Sequence, residues 1–127
     1  MTRQGMRKTR GGFGLLLPVL VAGCGATGMG SGTPLYLAMT DGDVAQADRA
    51  VQRALETAPS ETPIGWYNQD SGNSGSITPL DTYVSRSGHY CRHYRERLVL
   101  GEHSESYLDT ACRNGDGIWI PVPTPAP

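Results

Sequence analysis

A cysteine between two histidines is the segment of this chain with the clearest potential for chemistry. It reads GHYCRH, with His89, Cys91 and His93 at alternating positions. These side chains ligate zinc, and a cysteine next to a histidine can also act as a nucleophile. In an extended strand, however, the two histidines are about 13 Å apart at Cα, too far for both to join Cys91 around one tetrahedral ion. We therefore expect no metal and no cofactor here.

The N-terminal residues have the pattern of an export signal. Four basic residues and no acid precede a short apolar run from Gly11 to Val21, which is too short to cross a bilayer as a helix. The run ends at VAGC, which resembles the lipobox of bacterial lipoproteins, where the cysteine is acylated after cleavage. We predict a lipoprotein signal peptide over residues 1–23 and lipidation of Cys24, with an ordinary signal peptide as the alternative. Because residue 25 is glycine and not aspartate, the same resemblance implies the outer membrane.

Charge limits the partners of the exported part of the chain. Cleavage would remove four of the eleven basic residues and none of the twelve acids, so that residues 24–127 are acidic and sufficient for one small domain. An acidic chain without a basic run binds nucleic acid poorly and gains little from anionic lipid headgroups. We expect no nucleic-acid partner and a membrane contact made by the acyl chains on Cys24.

Export also bears on the two remaining cysteines, because disulfides form in oxidising compartments. A two-residue turn at Gly101-Glu102 would pair residues whose numbers sum to 203, and positions 91 and 112 meet that condition. Directly opposite residues of an antiparallel pair lie close enough for a disulfide. We predict a Cys91–Cys112 disulfide. A redox or catalytic thiol, which requires a free cysteine, is the less favoured alternative.

One helix is predicted ahead of the strands. Apolar residues recur every three or four positions in DGDVAQADRAVQRALETAPS, which is the stripe of an amphipathic helix, and Asp41 or Asp43 can cap its N-terminus. The preceding segment, residues 24–39, is rich in glycine and is expected to be a flexible tether. The domain itself is predicted over residues 40–122, and the proline-rich residues 123–127 are expected to form an extended tail.

Short β-rich runs separated by turn residues follow the helix. They are IGWY, SITPLDTYV, the two arms of the Cys91–Cys112 hairpin, and IWIPV. Pro79 confines the second run to an edge or a bulge. The expected fold class is therefore α+β, with one N-terminal amphipathic helix followed by a small curved antiparallel sheet of about five short strands, stapled by one disulfide.

Several of these segments together resemble a known family. They are the lipobox cysteine Cys24 and the runs DVAQADRAVQRALE, TPIGWYNQDSGNSGSITPLDTY, YCRHY and TACRNGDGIW, and they are similar to the bacterial 17 kDa surface antigen family of outer-membrane lipoproteins, from about Leu37 to Val122. The glycine-zipper segment that members carry after the lipid is largely missing here. The resemblance implies a lipoprotein of the outer membrane, with its domain in the periplasm or on the cell surface. It supplies no catalytic residues.

The function expected from the sequence is a non-catalytic envelope lipoprotein with a structural or interaction role. An envelope protein or glycan partner would contact Trp66, Tyr67 and Trp119, since aromatic side chains dominate interface energetics. Burial of both tryptophans in the core is the alternative. A small ligand-binding or enzyme-inhibitor lipoprotein, of the lysozyme-inhibitor type, is the second hypothesis. No G-x-S-x-G or H-E-x-x-H motif is present, so we expect no enzyme.

Three arginines lie in one predicted strand. Arg92, Arg95 and Arg97 alternate between faces and do not form a patch. This spacing favours solvated strand positions over an anion-binding site.

Overall fold

The computed structural model of this chain describes residues 32–123, together with the glycines at positions 11, 12 and 14. The chain divides into two units at Gly32, and the fold described below belongs to the second unit. The rest of the predicted signal peptide, the lipidation site Cys24 and residues 124–127 of the tail lie outside the described residues. Within the described part of the chain, no helix is long and apolar enough to cross a membrane.

An α-helix and a five-stranded antiparallel sheet form the domain, which confirms the predicted α+β class. The strands follow one another across the sheet in sequence order, so that the sheet is open and its first and last strands are edges. The elements are a 3₁₀-helix at Leu35–Ala38, α1 at Asp41–Thr57, β1 at Ile64–Tyr67, β2 at Ser74–Val84, β3 at Tyr90–Leu100, β4 at His103–Arg113 and β5 at Trp119–Val122.

The three central strands are longer than predicted. β2, β3 and β4 have 11 residues each, whereas the spacing of turn residues indicated short strands. β2 begins at Ser74, inside a segment with the composition of a turn, because Ser74 and Gly75 find partners in both β1 and β3. Glycine suits position 75, since a Cβ there would lie 2.5 Å from the Trp66 indole nitrogen. Pairing with β1 and β3 therefore makes β2 begin earlier than its amino-acid composition predicts.

The core lies between α1 and one face of the sheet, which we call the inner face. Ala54 and Leu55 of the helix and Ile77 and Leu98 of the sheet are almost completely buried. Burial of apolar surface of this kind is the main stabilising contribution to a small domain. The other core residues are Ala47, Ala50, Val51, Ala58, Trp66, Tyr94, Leu100, Ala111 and Trp119.

The β3–β4 hairpin has the predicted register. All facing residues from Leu100 and His103 to Cys91 and Cys112 have numbers that sum to 203, and the two cysteines form the predicted disulfide. Gly101 in the turn has a φ of 59°, a conformation that glycine adopts without steric cost. Pro79 predicted either an edge strand or a bulge, and the structure has the bulge: β2 lies between β1 and β3, and the β2–β3 register shifts between Pro79 and Thr82.

The residues just before α1 are attached to the domain. The 3₁₀-helix lies where a tether was predicted up to residue 39, yet Leu35 and Met39 pack against the core. The Leu35 amide donates to the Tyr107 hydroxyl, and the rings of Tyr36 and Tyr107 meet edge to face with centroids 5.5 Å apart. The predicted tether is therefore too long at its C-terminal end, because apolar side chains within it find space on the sheet.

Thr40 caps the N-terminus of α1, where Asp41 or Asp43 was predicted as the cap. The Thr40 hydroxyl accepts a hydrogen bond from the Asp43 amide, and the Asp43 carboxylate accepts one from the Thr40 amide. This reciprocal capping box satisfies backbone amides that a helix leaves without partners. Asp43 is thus the third residue of the helix and not the cap itself.

Asp43 also binds the loop between β1 and β2. Its carboxylate accepts hydrogen bonds from the side chains of Asn68, Ser71 and Asn73, at 2.8, 2.5 and 2.8 Å. Burial acts to raise the pKa of Asp43, but these bonds and the one from the Thr40 amide outweigh it and hold the pKa well below its ordinary value. The carboxylate therefore fastens the β1–β2 loop to the start of α1.

Replacing Cys91 and Cys112 together by serine is expected to lower the free energy of unfolding by about 3 kcal/mol, because the loss of the cross-link frees the unfolded chain. The disulfide joins residues with a sequence separation of 21. Urea denaturation followed by circular dichroism measures the change. Reduction of the wild-type protein is the control and should give a similar loss. An unchanged midpoint in the double variant would contradict a stabilising role.

Asp43→Asn is expected to lower the free energy of unfolding by about 2–4 kcal/mol, because the new amide group brings donors to a site whose neighbours already donate. Asp41→Asn, exposed in the same helical turn, is the matched control and should change stability by less than about 0.5 kcal/mol.

The difference between these two variants should shrink in acid. A carboxylate with a lowered folded pKa stabilises the fold above its unfolded pKa of about 4, and this contribution is lost as the pH falls toward the folded pKa. Urea denaturation at a series of pH values measures both effects. Equal losses for the two variants at neutral pH would exclude this role of Asp43.

Candidate functional site

The three aromatic residues predicted as a contact surface are divided between core and surface. Trp66 and Trp119 are only 7% and 5% exposed and belong to the core, which was the alternative left open by the sequence. Tyr67, the next residue of β1, points to the other side of the strand and is 57% exposed. A buried ring offers a partner little contact area. Of these three positions, Tyr67 is therefore the candidate contact residue.

The segment GHYCRH contributes to structure at two points. Cys91 is bonded to Cys112 and is not available as a thiol or as a metal ligand. His93 forms hydrogen bonds through Nδ1 to both carboxylate oxygens of Asp81, each at 2.9 Å, on the outer face of the sheet, opposite α1. In residues 32–123, no group of three or more histidine, cysteine, aspartate or glutamate side chains could hold a metal ion.

The outer face carries partly exposed apolar side chains beside the disulfide. Tyr83 of β2 faces Cys91 across the β2–β3 pair, and Ile120 of β5 faces Cys112 across the β4–β5 pair. Tyr83 is 37% and Ile120 is 45% exposed. Tyr83, Cys91, Cys112 and Ile120 thus form an apolar row across β2 to β5. The two end residues, Tyr83 and Ile120, are exposed to solvent.

Arg92 departs most from the expectation of a solvated strand residue. It is 8% exposed, on the inner face of β3, and its Nη1 donates to the carbonyl oxygens of Leu55 and Ala58 at 2.8 and 2.9 Å. A longer hydrogen bond of 3.5 Å reaches the Ala54 carbonyl. The last carbonyls of a helix have no helical partners and carry the negative end of its dipole. Arg92 therefore attaches the C-terminal end of α1 to the sheet.

A signal for this burial was present in the sequence. The register that places Cys91 opposite Cys112 also puts Arg92 on the same face as Tyr94 and Leu98, which is the core face. Arg95 and Arg97 fall on the outer face and are exposed, as the solvated interpretation requires. That interpretation is wrong for Arg92 because carbonyl groups at the end of α1, instead of water, accept the hydrogen bonds of its Nη1.

A cavity of about 320 Å³ opens beside Arg92. Glu56 in its wall is already paired, since it accepts two hydrogen bonds from Arg113 at 3.0 and 3.1 Å and one from the Trp119 indole at 2.8 Å. The bonds from Arg113 and Trp119 hold the pKa of Glu56 below its ordinary value. Arg92, in contrast, forms no ion pair with any described residue. The remaining lining residues are Leu55, Thr82 and Tyr90.

A second cavity on the inner face, of about 530 Å³, is acidic. Glu96 of β3, Asp109 of β4 and Asp48 of α1 line it, and its described lining contains no basic side chain. Burial, together with the nearby charges of Asp109 and Asp48, raises the pKa of Glu96 to about 7. Burial also raises the pKa of Asp109. Glu96 is therefore the carboxyl group of this cavity that titrates near neutral pH.

Comparisons with known proteins agree with the resemblance found in the sequence. A family model described as 17 kDa outer membrane surface antigen matches residues 53–120. The 17 kDa surface antigen of Rickettsia felis is 42% identical over 81 residues, which cover 64% of this chain and 51% of that protein. That of Rickettsia conorii is 43% identical over 81 residues with the same coverage. That of Rickettsia prowazekii is 46% identical over 68 residues, which cover 54% of this chain and 43% of that protein.

The chain spans about half the length of the curated relatives it matches, 51% in two of the three proteins above. The matched residues 53–120 run from the last turns of α1 to the start of β5, and they include Arg92 and the cavity beside it. No solved structure gives a significant match. The comparisons give no support to the alternative of an enzyme inhibitor.

Glu96→Gln is expected to raise the free energy of unfolding by about 1–2 kcal/mol above about pH 7, and to have little effect below about pH 4. A carboxyl group with a raised folded pKa stabilises the fold in its protonated form. Its contribution is therefore complete below the unfolded pKa and is lost as the pH rises through the folded pKa of about 7.

Urea denaturation of wild type and variant across this pH range measures the effect of Glu96. Glu102→Gln, at an exposed position in the β3–β4 turn, is the matched control, because it makes the same substitution outside the cavity. Parallel pH profiles for wild type and Glu96→Gln would show that Glu96 has an ordinary pKa.

Proposed function

Because the chain belongs to the 17 kDa outer membrane surface antigen family, we propose that it is a lipid-anchored envelope protein with an interaction or structural role and no catalytic activity. The family match over residues 53–120 carries this proposal, because it covers the strands β1 to β4 and the end of the helix that packs on them. The relatives are named as surface antigens, and display of this domain at the outer membrane is part of the proposal.

The proposed anchor is an acylated Cys24. The export pattern of residues 1–23 and the VAGC sequence at its end support acylation at this position. A single acyl chain binds membranes only weakly, so stable anchoring requires more than one chain. A glycine-rich segment separates Cys24 from Leu35, which packs on the domain. In this arrangement the domain is held beside the membrane, in the periplasm or outside the cell, and its surface remains available to a partner.

Three charged groups that pair within the domain agree with a non-catalytic role. Asp43 is occupied by the β1–β2 loop, and Glu56 is occupied by Arg113 and Trp119. His93 pairs with Asp81 on the outer face of the sheet, where Asp81 is largely exposed. General acid–base and nucleophilic catalysis require a reactive group positioned at a substrate site. These groups connect structural elements instead.

An interaction role agrees with the outer face of the sheet. Tyr67, Tyr83, Leu108 and Ile120 are large side chains with apolar surface on this face, and each is between 37% and 66% exposed. Aromatic side chains are enriched in the contact areas of protein interfaces. We propose that an envelope protein or glycan contacts the domain here.

Cys24→Ser is expected to move the protein from the membrane fraction to the soluble fraction, because it removes the acylation site. The intact mass of wild type extracted from envelopes should show an acylated N-terminal Cys24 and the loss of residues 1–23. Cys91→Ser is the matched control, since it also removes a cysteine but should leave lipidation unchanged. Membrane fractionation of Cys24→Ser, or an unacylated wild-type mass, would overturn the lipid anchor.

A further inference from the structure

Arg92 has two hydrogen-bonding edges, and the domain uses only one of them. All of its hydrogen bonds within the described residues leave from Nη1, which faces the C-terminal end of α1. Nε is buried and has no acceptor. The side-on edge of the guanidinium, formed by Nε and Nη2, is therefore left without a partner. A buried donor without an acceptor is unfavourable, and more so when it belongs to a charged group.

Arg113 lines the same cavity, and the Nε–Nη2 edge of its guanidinium binds a carboxylate. Its Nε and Nη2 donate to the two carboxylate oxygens of Glu56 at 3.0 and 3.1 Å, which is the bidentate geometry of arginine–carboxylate pairs. Arg92 has the same two donors in the same relative positions. Glu56 is not available to it, because Arg113 and Trp119 occupy the Glu56 oxygens. Among residues 32–123, nothing supplies the carboxylate that would complete Arg92.

We propose that Arg92 anchors a binding site for a carboxylate attached to an apolar group, such as the C-terminus of a peptide that ends in an apolar residue. The cavity of about 320 Å³ is at the lower end of the range for ligand pockets, which suits a group of this size. Leu55, Tyr90 and Trp119 provide apolar and aromatic walls next to the guanidinium. An acidic sugar would use these walls less fully, because Leu55 and the Trp119 ring bury apolar surface and offer no partner to a hydroxyl group except the indole N–H, which Glu56 already accepts.

Two exposed side chains lie next to Arg92 in the cavity. Thr82 pairs directly with Arg92 in the β2–β3 ladder, and Tyr90 is 60% exposed. Both line the cavity. Nε has almost no accessible surface, so the proposal requires that neighbouring atoms move to admit a ligand. Exposed side chains such as Tyr90 change rotamer within picoseconds to nanoseconds and can supply this movement. Arg92 itself is held by α1, so that the charged side of the site is already in place.

The test is a titration of the full-length protein with N-acetylphenylalanine, followed through the Nε–H signal of Arg92 in proton–nitrogen NMR correlation spectra. N-acetylphenylalaninamide, which has the same shape without the charge, is the control ligand. The Arg113 Nε–H signal is the internal control, because its edge is occupied by Glu56. We expect the acid, but not the amide, to shift the Arg92 signal saturably, with a Kd on the order of 1 mM for so small a ligand.

Two variants at Thr82 make the test specific, since replacing Arg92 itself would release the end of α1. Thr82→Glu places a carboxylate across the ladder from Arg92, where facing Cβ atoms are about 5 Å apart. It should occupy the site, shift the Arg92 signal without ligand, and weaken binding of the acid by about tenfold or more. Thr82→Gln has the same size without the charge and should therefore bind the acid at least about tenfold more tightly than Thr82→Glu does.

Three results would overturn the proposal. They are a drift of the Arg92 signal without saturation, equal shifts with the acid and the amide, and equal binding by the two Thr82 variants. Saturation by glucuronate and not by N-acetylphenylalanine would replace the apolar carboxylate by an acidic sugar. The site goes beyond the proposed function and does not depend on the anchor. The titration and the acylation of Cys24 therefore fail or succeed separately.

Discussion

Two buried charges hold α1 on the sheet, one at each end of the helix, and the rest of the domain depends on them. Asp43 lies near the N-terminus, where the helix dipole is positive, and binds the β1–β2 loop. Arg92 reaches the C-terminal carbonyls, where the dipole is negative, from the central strand of the sheet. Each charge satisfies helix groups that would otherwise lack partners and links them to another element. The position of α1 in turn decides which strand residues are buried.

A single helix cannot cover a five-stranded sheet, and the two cavities follow from this. An α-helix with its side chains is about 10 Å wide, whereas five strands spaced at about 4.8 Å extend over about 19 Å. Both cavities combine residues of α1 with inner-face residues that the helix does not cover. Their charges are opposite, because one holds a guanidinium without a carboxylate partner and the other holds three carboxyl groups. Trp119 lines both, so that one buried ring is shared by a basic and an acidic cavity.

Local rules were sufficient for those parts of the fold that one turn or one residue type determines. The turn at Gly101 sets the hairpin register and hence the disulfide, and Pro79 marks the bulge in β2. The same rules were not sufficient for Asp43 and Arg92, whose partners are distant in the chain. The side-chain bonds from the β1–β2 loop to Asp43 span 25 to 30 residues, and those from Arg92 to α1 span 34 to 38. An aspartate in a first helical turn and an arginine in a strand are both typical of solvated positions, and only the packing of α1 on the sheet buries them.

Asp43 and Arg92, which attach the two ends of α1, differ in the hydrogen-bonding groups that they leave available to a ligand. Asp43 uses both carboxylate oxygens within the domain, whereas Arg92 uses one nitrogen and leaves Nε without an acceptor. A ligand that binds only the folded state stabilises that state by mass action. A carboxylate on the free edge of Arg92 would therefore also strengthen the attachment of the helix end, so that binding and local stability are coupled. The family match, residues 53–120, contains Arg92 and all three carbonyl groups that it binds, while Asp43 lies outside it. The attachment with a free edge is thus the one that lies within the residues matched by the family model.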